Sequence, residues 1–80
     1  MEYNEKFYTR RMTPVRVIED EDNVQIVFLE SARFYVLAQE LSEFDSLLAL
    51  LHRAVEKGES VDVSTESIES DVIRNIKPAN

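Results

Sequence analysis

Cysteine and tryptophan are absent from this chain, and glycine and histidine each occur once. Without cysteine there is neither a disulfide framework nor a thiolate metal site. A single glycine cannot build a glycine-rich phosphate loop. No apolar run is long enough to span a membrane, and the N-terminus shows no signal-peptide pattern. No membrane association and a cytoplasmic location are therefore expected. Cations are in the minority, with 9 Lys and Arg against 16 Asp and Glu, for a net charge of −7. Phosphate binding is driven by cationic side chains, so this balance disfavours a general nucleic-acid binder. The 80 residues allow one domain, 1–80, with a small core. Such a chain, lacking cross-links, depends on close packing or self-association.

The clearest element present is a helix between Ser42 and Gly58. Phe44, Leu47, Leu48, Leu51 and Val55 fall on one face of a 3.6-residue period, and Leu50 and Ala54 widen it. Ser42 and Asp45 have the spacing of a capping box at its start. Gly58 can take the left-handed conformation that ends a helix, with Lys57 at the negative end of the dipole.

Strand signals surround this helix. Val15–Ile18 reads as a short strand entered through Pro14. Glu19–Asn23 is a charged loop. Val24–Leu29 is the strongest strand, apolar on both faces at its far end, which places it inside a curved sheet. Phe34–Ala38 follows a turn. After the helix, Val61–Val63 alternates strictly, and Val72–Ile76 is a last strand stopped by Pro78. Residues 1–13 show no helical period and read as an ordered arm or an extra strand.

The order β-β-β-α-β-β over 14–76 predicts an α+β, mainly β domain. It is the order of the OB-fold, a small barrel whose helix lies between its third and fourth strands. The segment from Phe44 through Gly58 to Val61-Asp62-Val63 also resembles small bacterial OB-like domains of the toxin B-subunit type. That resemblance implies a barrel plugged by the helix and a ring-like homo-oligomer. An open antiparallel sheet covered by one helix is the alternative. The two differ in whether the last strand closes onto the first.

Four groups of residues are candidates for function. Lys6, Tyr8, Arg10, Arg11 and Arg16 mix cations with an aromatic, as single-strand nucleic-acid surfaces do. Residues 1–18 carry four cations against Glu2 and Glu5, a net of +2, while the rest carries 5 basic and 14 acidic residues. The competing reading packs the aromatics on the core and faces the cations to that acidic remainder. Leu47, Leu50 and Ala54 make the helix's apolar arc wider than one packing face needs, which suits an oligomer contact. His52 has Glu56 one turn on, an ordinary helix-surface pair. Lacking a second histidine or any cysteine, it makes no conventional zinc or nucleophile site. Glu19–Asn23 is rich in carboxylates. A calcium loop begun at Asp20 would need glycine sixth and glutamate twelfth, and those positions are Gln25 and Ser31.

No catalytic, metal or cofactor set emerges. The expectation is a non-enzymatic interaction or assembly module that self-associates as a homo-oligomer and whose protein partner the sequence does not specify. The alternative is single-stranded nucleic-acid binding through the N-terminal basic-aromatic arm.

Overall fold

The computed structural model describes residues 7–79. Its elements are β1 (Tyr8–Met12), β2 (Pro14–Glu19), β3 (Val24–Phe28), β4 (Phe34–Leu37), α1 (Phe44–Lys57), β5 (Val61–Thr65) and β6 (Val72–Pro78). The three strands expected before the helix and the two after it are all present. The N-terminal stretch supplies a further strand, β1. Pro14 opens β2, where a missing N–H costs the ladder least.

All six strands form one sheet in the order β1-β5-β6-β4-β3-β2. The domain is α+β, with an open sheet and one helix. The expected closed barrel is not formed by strand pairing. β6 already has both neighbours, β5 antiparallel and β4 parallel, so it has no edge left to close onto the first strand. The open-sheet alternative is also corrected in one respect, since the β4–β6 pair makes the sheet mixed. The cause is the helical crossover. α1 carries the chain two strand positions beyond β4, to β5, and β6 returns to fill the slot between them.

The two edges, β1 and β2, are consecutive in sequence and separated only by Thr13. One stretch of chain therefore pairs with β5 by its first half and with β3 by its second. Such a path requires a strongly curved sheet, as the two-sided apolar pattern of β3 suggested.

The concave side holds the core. Met12, Ile26, Phe28, Leu37, Val61, Val63 and Ile73 meet there, with Leu47, Leu51 and Ala54 of the helix. Phe28 and Tyr35 stack edge to face at 5.4 Å between ring centres. Leu51 is fully buried, and burying a leucine contributes about 1.5–3 kcal/mol.

The helix ends as expected and begins differently. Gly58 has φ 69°, and its N–H reaches back to the last turn. At the other end Glu43 is the cap residue, with no side-chain cap bond. The Ser42–Asp45 capping box is therefore not formed. Backbone bonds from Leu41 N–H to the Ala38 carbonyl and from Phe44 N–H to the Leu41 carbonyl turn the chain into the helix instead.

Candidate interaction surface

The basic residues of the N-terminal stretch are not gathered into one surface. Lys6 lies outside the described residues. Arg10 and Arg11 are neighbours on β1 and point to opposite faces of the sheet. Arg10 stands across from the buried Val63, and it donates to the Glu30 carbonyl at 3.4 Å. Arg11 stands across from Asp62 and donates to both of its carboxylate oxygens, at 3.0 and 3.4 Å. That hydrogen bonding holds the Asp62 carboxyl below the usual aspartate range. Tyr8 pairs with Thr65 at the far end of the same strand. Arg16 lies on β2, at the opposite edge of the sheet.

The candidate oligomer residues divide. Leu47 and Ala54 are 6% and 1% exposed, packed in the core of the single chain. Leu50 is half-buried and packs on the rim of that core. With Ala54, Ser60, Val61 and Pro78 it lines an open pocket of about 260 Å³. Most of the wide apolar arc is thus used within the domain, because the curved sheet wraps the helix on more than one side.

His52 does not pair with Glu56. Its Nε2 lies 2.6 Å from a Glu19 carboxylate oxygen, tying the helix to the end of β2. The Asp20–Asn23 tip is exposed. Among the described residues, no group of three or more metal-ligating side chains comes together.

The surface that sequence reading missed is the convex face of β2, β3, β4 and β6. Residues opposite each other in a ladder share a face, and alternate residues along a strand change face. The inward residues are Ile26, Tyr35, Leu37 and Ile73. Their neighbours therefore point outward, in two rows. One row runs Arg16, Val27, Phe34 across β2, β3 and β4. The next runs Ile18, Gln25, Val36, Val72 across β2, β3, β4 and β6. Phe34 is 51% exposed and Val72 40%, with the half-buried Val27, Val36 and Ile18 between and beside them. β4 and β6 were legible as strands in the sequence, but nothing there told which strands would be neighbours.

Arg33 fixes the border of this face. Its guanidinium donates to the Tyr35 hydroxyl at 2.8 Å and to the carbonyls of Ile68 and Glu69 at 3.1 and 3.3 Å. It also lies 3.2 Å from an Asp71 carboxylate oxygen. The loop before β6 is thereby pinned to β4, which sets Val72 beside Val36.

No protein-family model matches the chain, and no curated protein matches its sequence. Solved structures do share its fold. A mutant of pro-protein-glutaminase superposes with a TM-score of 0.80 at 20% identity, over 94% of this chain and 26% of that one. The crystal structure of pro-protein-glutaminase gives 0.79 at 21% identity, with the same coverage of both chains. This chain thus spans about a quarter of the length of either. At this identity the likeness is one of fold.

Proposed function

We propose that the domain is a non-enzymatic protein-interaction module that docks through the convex face of β2, β3, β4 and β6. The observation that carries this reading is the half-exposed Phe34 and Val72, joined by Val27 and Val36 into one apolar surface. Aromatic and aliphatic side chains held on a rigid sheet are efficient anchors, because little freedom is lost when they are covered. In pro-protein-glutaminase this fold makes up only 26% of the chain, so there it is accompanied by other protein. The non-catalytic part of the reading rests on the sequence, which has no cysteine and no glycine-rich phosphate loop.

The pairing order supports a finer description of the fold as a partly open OB-like barrel, with Thr13 carrying the chain between the two edges. Nucleic-acid binding through the N-terminal arm has less support, since Arg11 is held by Asp62 and Arg10 turns to the other face. Self-association is a second reading, favoured by the half-buried Leu50 on the lip of its pocket.

The test is selection of a phage-displayed random-peptide library on the full chain and on Phe34→Ser. A convergent family of peptides that binds the first and not the second is the expected result. Equal recovery on both proteins would remove the convex face from consideration.

A further inference from the structure

The convex face is apolar in the middle and oppositely charged at two corners. Arg16 stands at one corner, directly across from Val27. Asp22 stands at the other, on the rim of an open depression of about 270 Å³ that Val36 and Val72 help to line. Three other arginines are neutralised where they stand: Arg11 by Asp62, Arg33 by Asp71, and Arg74 by Glu40 and Glu66. Arg16 is exposed, and among the described residues no carboxylate pairs with it.

An arginine in this setting has two parts. Its methylene stem can cover the neighbouring apolar surface, and its planar head offers a fork that fits a carboxylate. On a chain of net charge −7, most of the surface repels an incoming acidic group. Asp22 does so from the corner of this face beside Val36 and Val72. A carboxylate on a docking segment is therefore accepted at one end only, which also fixes the direction in which the segment lies.

We propose that Arg16 is the selectivity residue of the convex face, and that it selects a protein segment carrying a carboxylate near its apolar anchor. This rests on the docking reading above. Spacing follows from sheet geometry. Phe34 lies two strands from Arg16, about 10 Å at the usual separation. An extended segment crossing the strands rises about 3.3 Å per residue, so the carboxylate belongs about three residues from the anchor. The anchor supplies most of the affinity. The exposed ion pair supplies choice of partner and a faster encounter.

The experiment uses the same random-peptide library on the full chain, Arg16→Gln and Phe34→Ser, with circular dichroism confirming that all three are folded. Peptides recovered on the unaltered chain should carry an aromatic or aliphatic anchor with Asp or Glu about three residues away. Arg16→Gln should keep the anchor preference and lose the acidic one, weakening the best peptide by about two- to fivefold at low salt. An unchanged acidic preference on Arg16→Gln, with recovery still lost on Phe34→Ser, overturns the role of Arg16 and leaves the docking face standing. Recovery that survives Phe34→Ser, or no convergent peptide at all, overturns the docking face and this inference with it. Tight binding of a single-stranded oligonucleotide that is lost in Arg16→Gln would assign the corner to phosphate and overturn the peptide proposal.

Discussion

The Glu30 carboxylate clasps Thr13, one oxygen accepting its backbone N–H at 2.6 Å and the other its hydroxyl at 2.8 Å. Thr13 is the single residue between the two edge strands. Its carbonyl accepts the Leu29 N–H at 2.8 Å, and its hydroxyl lies 2.7 Å from that of Ser60. The point where the chain leaves one sheet edge for the other is thus tied to the end of β3 and the approach to β5. Proline at 14 fixes φ on one side of the joint, and Glu30 satisfies the backbone on the other.

This clasp makes stability depend on pH. Burial pushes the Glu30 carboxyl up, but the backbone N–H and hydroxyl of Thr13 outweigh it, and the group lies below the usual glutamate range. A carboxyl lowered by folding stabilises above its unfolded value and loses that contribution as pH falls through the folded one. Glu30→Gln should therefore melt below the unaltered protein near neutral pH, and the two curves should converge on acidification below about pH 4. A gap that stays constant across the acid range would show that the charge of Glu30 is irrelevant to the joint.

Arg33 provides a prediction about local order. Its guanidinium gathers the Tyr35 hydroxyl, two loop carbonyls and the Asp71 carboxylate. A lysine carries the charge without the planar fork and cannot serve all four. Arg33→Lys should leave the global fold intact and speed hydrogen exchange at the Val36 amide, which donates to the Asp71 carbonyl at 2.8 Å. Unaltered protection of that amide would mean that the loop is held by its own turns.

What could be read in the sequence was local. Gly58, the period of Phe44 to Val55 and the alternation of 24–28 and 61–63 located the helix and the main strands. Pro14 marked a boundary correctly. What was hidden depends on partners distant in sequence. Arg11 is matched by Asp62, His52 by Glu19 and Thr13 by Glu30, and no periodicity announces such pairs. The parallel β4–β6 contact was likewise invisible, because the strand that fills the slot comes last in the chain. The Ser42–Asp45 motif failed because the Leu41 turn already supplies backbone bonds at the helix start. The convex apolar surface could not be assembled until the strand order was known.

Leu50 and its neighbour Leu51 separate the interior from a surface contact. Leu51 is fully buried, so Leu51→Glu places an unpaired charge in the core and should unfold the domain. Leu50 reaches an open pocket, where a carboxylate can turn to water. Leu50→Glu should keep the circular-dichroism spectrum. If self-association uses this pocket, light scattering after size exclusion should show a lower mass for Leu50→Glu than for the unaltered chain. Identical masses, both above the monomer, would place the contact elsewhere.

Gly58 isolates a purely backbone cost. Its φ of 69° lies in the left-handed region, where a Cβ approaches the following carbonyl. A Cβ built at this position meets nothing within 4 Å, so steric crowding by other parts of the fold does not contribute. Gly58→Ala should therefore destabilise by about 1–2 kcal/mol. Gly58→Val should cost more, because branching at Cβ resists positive φ further. Gly58→Asn should cost least, since asparagine tolerates this conformation as a helix terminator. Urea unfolding reads all three, with the midpoint falling in the order Asn, Ala, Val and the slope unchanged. A midpoint for Gly58→Val equal to that of the unaltered chain would mean that the helix ends without the left-handed turn. A changed slope would instead place the effect in the unfolded ensemble, where losing a glycine also removes conformational freedom.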